Sequence, residues 1–156
     1  MLERCKSAQE RWGGVHKLID RWLEARKALI ETYAKLRAED EFTPIDTPKI
    51  QILCERLVDY TSTGHFEIYE QLTKEAEAFN DQNALLLAQK VLPEIQNTTT
   101  LVVEFNDKFG SKEHCNNQLT ELPISLQALG LVLADRFELE DVLIQELHEA
   151  HSKQHA

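Results

Sequence analysis

Four stretches of this chain place apolar residues alternately three and four positions apart, and that recurrence constrains the fold more than any other feature. In the first, Trp12, Val15, Ile19, Trp22, Leu29, Tyr33 and Leu36 keep the interval, and Arg26 is the charged member of the seam. The second runs through Ile50, Leu53, Leu57, Thr61, Gly64, Ile68, Leu72, Glu75 and Phe79. The third uses Ala84, Ala88, Val91, Ile95, Thr98, Val102, Phe105 and Phe109, and the fourth Leu122, Leu126, Leu129, Leu133, Arg136, Glu140, Leu143 and Leu147. Such spacing turns one narrow apolar stripe of each helix toward its neighbours. Four helices of similar length joined by polar segments form an up-down-up-down bundle. The reading is therefore all-α: a four-helix bundle in one domain over 1–156, with helices at about 7–36, 48–79, 82–109 and 120–148.

Local signals agree with these limits. Only 5 Gly and 4 Pro occur, which favours helix. Two prolines and four acids mark residues 39–48 as a connection. Thr47 followed by Pro48 predicts an N-cap and first helical residue. Asp81 predicts the cap of the third helix, Gly110 its end, and 111–117 a polar connection holding Cys115. The small residues Thr61-Ser62-Thr63-Gly64 lie on the second seam, where they allow a close approach; the helix is read as continuous through them.

A formal charge of -10 argues against a protein that binds DNA through its phosphate backbone and favours a basic partner. The acid is unevenly spread. Residues 1–38 hold 9 Lys or Arg against 5 Asp or Glu, whereas 39–80 hold 3 against 10 and 116–156 hold 2 against 7. Cys5, Cys54 and Cys115 are widely separated and form neither a disulfide framework nor a zinc pattern, which suits a reducing cytoplasm. The start of the chain is polar and no apolar run reaches membrane length, so the reading is cytoplasmic with no membrane contact.

Three charged residues sit on seams: Arg26, Arg136 and Glu140. Burying any of them unpaired costs several kcal/mol, so the sequence predicts an internal cluster of Arg26, Asp59, Arg136 and Glu140. Arg26 is assigned to either Asp59 or Glu140. Carboxylates inside a bundle invite a di-iron reading, but no histidine has Glu three positions before it. His148, His151 and His155 share a face and read as a fraying helix end rather than a metal site. No nucleophile with a dedicated base is visible, so no catalytic residue, metal or cofactor is assigned. Phe66 lies off the seam between His65 and Glu67, an aromatic on an acidic face, and is the candidate anchor for a partner.

Asp20-Arg21-Trp22-Leu23 with Arg26-Lys27, the stretch Leu57-Val58-Asp59-Tyr60 to Gly64-His65-Phe66 with Ile68-Tyr69-Glu70, and Arg136-Phe137 with Leu139-Glu140-Asp141 closely resemble the Rsd/AlgQ family of bacterial anti-sigma factors. The early block Glu10-Arg11-Trp12-Gly13-Gly14-Val15-His16 looks like its AlgQ branch. The resemblance implies a cytoplasmic helical bundle that binds the promoter-recognising C-terminal domain of the primary sigma factor. Binding there keeps sigma from core polymerase and from the -35 promoter element. The loops at 39–48 and 108–117 depart from the family pattern, as loops commonly do. Joined to the charge pattern, the resemblance assigns partner contacts to Asp20, Trp22, Asp59, Phe66, Glu67 and Glu70. The second reading is an acidic adaptor that binds other cytoplasmic signalling proteins through the same face.

Overall fold

The computed structural model describes residues 2–149, with side chains described from His16 onward. Helix α1 spans Leu2–Arg37 and a 3-10 turn follows at Pro44–Asp46. Helix α2 (Thr47–Thr63) passes through a π turn at Gly64–Ile68 into α3 (Tyr69–Ala78), so 47–78 is one unbroken rod. Helix α4 is Gln82–Phe109, and the short α5 (Lys112–Asn117) and a 3-10 turn (Leu119–Glu121) lead into α6 (Leu122–Ile144). A second π turn closes the described chain at Gln145–Glu149. The four long rods pack in a ring, α1 on α2, α2 on α4, α4 on α6 and α6 back on α1. This is an all-α bundle.

The seams face inward. Trp22, Leu29 and Leu36 from α1 meet Ile50, Leu53 and Leu57 from α2, and Ile95, Val102 and Phe109 of α4 meet Leu122, Leu126 and Leu133 of α6. All are buried. Each such side chain contributes about 1.5–3 kcal/mol by leaving water, which is what holds helices of modest intrinsic preference in place. Among the described residues no helix is long and apolar enough to cross a membrane.

Several boundaries differ from the sequence reading, each for a local reason. The first helix starts at Leu2 rather than near residue 7. Thr47 is the first residue of α2 and does not cap it; its buried hydroxyl donates to Asn116 Oδ1. Capping falls to the preceding turn, where the Thr43 N–H donates to Asp46 Oδ2 at 2.9 Å and Thr43 Oγ1 accepts from the Ile45 N–H. The polar segment after Gly110 is helical, because Ser111 Oγ accepts from the His114 N–H and Cys115 is drawn fully into the core. His148 is no frayed end: it is buried, with Nδ1 3.0 Å from Glu75 Oε1 and Nε2 3.3 Å from His16 Nδ1. Trp12, His151 and His155 lie outside the residues whose side chains are described.

Burial, then the neighbouring Cys115, pushes the Cys54 thiol up to about 12. A thiolate is the reactive form, so native Cys54 resists labelling at pH 8. In a Cys5→Ser background, a disulfide reagent should modify Cys54 no faster than the bundle opens, with the rate rising in denaturant in step with loss of helical circular dichroism. Rapid labelling of the native protein would contradict this packing.

Candidate functional site

The charged seam residues converge on one carboxylate. Glu140 of α6 is fully buried, and its Oε1 accepts from the Tyr60 hydroxyl at 2.6 Å and from Arg26 Nη2 at 3.4 Å. Its Oε2 accepts from the Tyr69 hydroxyl and lies 3.3 Å from Arg136 Nε, off the hydrogen-bond line, so that last contact is an ion pair. Arg136 is also fully buried; it donates to Thr98 Oγ1 at 3.0 Å, Thr99 Oγ1 at 2.7 Å and Tyr69 Oη at 3.0 Å. Arg26 donates from Nε to Tyr60 Oη at 2.9 Å and from Nη1 to the exposed Asp141 carboxylate at 2.6 Å. Two cations and two anions thus neutralise one another. Burial pushes the Glu140 carboxyl above its ordinary range, while Arg136, the Tyr60 and Tyr69 hydrogen bonds and Arg26 pull it back.

Aromatic rings enclose this cluster. Trp22 stacks on Tyr60 with ring centroids 4.9 Å apart and meets Tyr69 edge-on at 5.9 Å. The Arg26 guanidinium lies over Phe137 at 4.7 Å. The indole N–H of Trp22 donates to the Tyr60 carbonyl at 3.1 Å. Gly64 lies close under α1: a Cβ there would stand 2.9 Å from Tyr69 Oη and 3.1 Å from Trp22 Cζ2. Gly64 opens the π turn, and its carbonyl accepts from the Tyr69 N–H five residues on.

On the solvent side of the same rod, Asp59, His65, Phe66, Glu67 and Glu70 are exposed. Phe66 is 70% exposed, an unusual state for a phenyl ring, and its ring meets His65 edge-on at 4.9 Å. Val58 and Val103 are also largely exposed, and with Phe66 they line a groove of about 180 Å³ between α2 and α4, floored in part by Thr61, Thr99 and Val102. Glu70 holds Lys74 at 2.9 Å. Among the described residues no group of three or more His, Cys, Asp or Glu is placed to hold a metal. The arrangement offers an apolar groove lined otherwise by neutral polar side chains and His65, on a rod that also exposes Asp59, Glu67 and Glu70.

The family model described as regulator of the RNA polymerase sigma(70) subunit, Rsd/AlgQ, matches residues 1–148. The chain belongs to the Rsd/AlgQ family. It is 37% identical to the Regulator of sigma D of Yersinia pseudotuberculosis serotype O:1b (strain IP 31758), over 93% of this chain and 88% of that protein. The protein of the same name from Yersinia enterocolitica serotype O:8 / biotype 1B (strain NCTC 13174 / 8081) is 36% identical over 93% of this chain and 89% of its own length. That from Enterobacter sp. (strain 638) is 34% identical over 92% and 88%. The match to the Rsd/AlgQ family takes in all six helices.

In this Rsd/AlgQ chain the residues singled out by sequence fall into three groups. Arg26, Arg136 and Glu140 lie together inside, as described, but Asp59 is exposed and stands outside the cluster. Its place is taken by Tyr60, one position on, which turns inward. Trp22 is 1% exposed, so it cannot touch a partner; its area is spent on Tyr60 and Tyr69. Asp20, Phe66, Glu67 and Glu70 lie at the surface, Asp20 with His16 Nε2 at 3.7 Å. Sequence reasoning missed Tyr60 and Tyr69 as ligands of the Rsd/AlgQ cluster.

All three tyrosines of the chain, Tyr33, Tyr60 and Tyr69, are held above their ordinary range, in each case chiefly by burial. Because the folded values exceed the unfolded value of about 10, stability is intact below that pH and is lost as pH rises past it. In a spectrophotometric titration the tyrosinate signal should therefore appear together with the loss of helical circular dichroism. Tyrosinate from more than one of the three tyrosines forming ahead of unfolding would contradict the burial of Tyr60 and Tyr69, since Tyr33 is only half-buried.

Proposed function

We propose that this protein is an anti-sigma factor that sequesters the primary sigma factor by binding its promoter-recognising C-terminal domain. Membership of the Rsd/AlgQ family and the names of the relatives support a regulator of sigma. The observation that carries the finer reading is Phe66, an exposed phenyl ring on a rod whose exposed residues also include Asp59, Glu67 and Glu70. A domain built to dock on DNA is basic on its DNA-facing side, and an acidic surface with an apolar anchor competes for that side. Asp20 extends the same acidic character onto α1. Occupying this side of the sigma domain denies it both core polymerase and the -35 element. The work is done by binding, with no chemical step, and it places the protein where sigma acts, in the cytoplasm.

Titration calorimetry with the C-terminal domain of the primary sigma factor tests this reading. Phe66→Ala should cost about 2 kcal/mol or more, roughly thirtyfold in affinity, whereas Glu67→Ala should cost less and act mainly on the association rate. Asp59→Ala should weaken binding without lowering the melting temperature, since Asp59 stands outside the buried cluster. Affinity should fall between about 0.05 and 0.5 M salt, as screening shortens. If Phe66→Ala and Asp59→Ala both bind like the parent at low and high salt, this face is not the site.

A further inference from the structure

Tyr60 and Tyr69 are nine positions apart, which on an uninterrupted α-helix sets them about 900° apart in rotation, on opposite sides of the rod. Both nevertheless donate to the one carboxylate of Glu140. The π turn between them reconciles the two facts. It absorbs one extra residue, so the pair behaves as if about eight positions apart, near 80° of rotation, and both rings turn toward α6. The turn so defined is Gly64–Ile68, and Phe66 is its middle residue. Gly64 lets it form against α1, because the space a Cβ would fill is already taken by Tyr69 Oη and Trp22 Cζ2.

We propose that Gly64 and Glu140 are positioning residues for sigma binding: by clamping both flanks of the π turn from inside, they set the direction in which Phe66 leaves the outer face. This rests on the reading of Phe66 as the anchor. Glu140 is fully buried and Gly64 is buried, so neither touches a partner. They act through the backbone. With the clamp loosened, the rod relaxes toward ordinary α-helix, the residues after Gly64 roll about the axis, and Phe66 changes its direction relative to Asp59, which precedes the turn. Glu67, inside the same turn, moves with Phe66.

A double-mutant cycle separates positioning from general stability. Affinity for the C-terminal domain of the primary sigma factor is measured for Gly64→Ala and for Glu140→Gln, each with Phe66 and with Phe66→Ala, at a temperature where circular dichroism shows every protein folded. Glu140→Gln keeps the side-chain shape but replaces one of the two carboxylate oxygens, each of which accepts from one tyrosine hydroxyl, by an amide donor; Gly64→Ala probes the turn from its other end and serves alone should the first variant not fold. Each should weaken binding about tenfold when Phe66 is present and less than about twofold when it is absent. Equal losses in both backgrounds, or no loss with Phe66 present, would overturn the positioning role while leaving Phe66 as anchor. If Phe66→Ala alone binds like the parent, the anchor reading itself fails and the positioning role falls with it.

Discussion

The Glu140 carboxylate is the constraint around which this bundle is assembled. A charge with no access to water is tolerated only while all its partners are in place, and here they come from α1, α2, α3 and a neighbouring turn of α6. Three of those partners lie 114, 80 and 71 residues away in sequence. No pair of helices satisfies it alone, so partial assemblies leave either an unpaired ion or a protonated acid, and the cluster favours all-or-none folding. The sign of its pH dependence is also unusual. A carboxyl raised by burial gives its full contribution below the unfolded value of about 4.3 and loses it as pH rises, opposite to the ordinary paired acid.

The same rod is used on two sides. Inward, Tyr60, Gly64, Ile68, Tyr69 and Leu72 are buried; outward, Asp59, Phe66, Glu67 and Glu70 face solvent. Of the basic residues of α1, Arg26 is turned inward to Glu140 and Asp141. The nearest cation to the anchor on the same rod is Lys74, and it is held by Glu70. Exposed carboxylates and an exposed ring thus share one rod, in a chain that carries basic residues on its first helix.

How much of this was legible in the sequence follows from what periodicity can encode. Seam spacing marks which residues face inward, so the bundle, the inward Arg26, Arg136 and Glu140, and the outward Phe66 could all be read from it. Spacing also assumes a constant 3.6 residues per turn. It has no means of showing an extra residue within a turn, so Thr61 to Gly64 looked like a thinned α-helix and Tyr60 and Tyr69 could not be brought together. The assignment of Asp59 to the cluster erred by one position for a related reason: charge seemed to demand a charged partner, whereas two neutral hydroxyls serve Glu140. His148 was unreadable because its partners, Glu75 and His16, come from distant helices rather than from its own face.

Gly64 also bears on how chains of this type can diverge. The space above its Cα is occupied from two sides, by an indole from α1 and a phenol from α3. A change at any one of positions 22, 64 or 69 alters the volume available to the other two, and a change at 140 removes the reason for the phenol to be there. Single substitutions at these four sites are therefore poor evolutionary steps, and paired or grouped replacements are viable ones. Descendants that lose the carboxylate are released from the phenol, while the indole of Trp22 still limits the room at position 64. Drift in this quartet would mark the point at which a lineage gave up the present presentation of its outer ring.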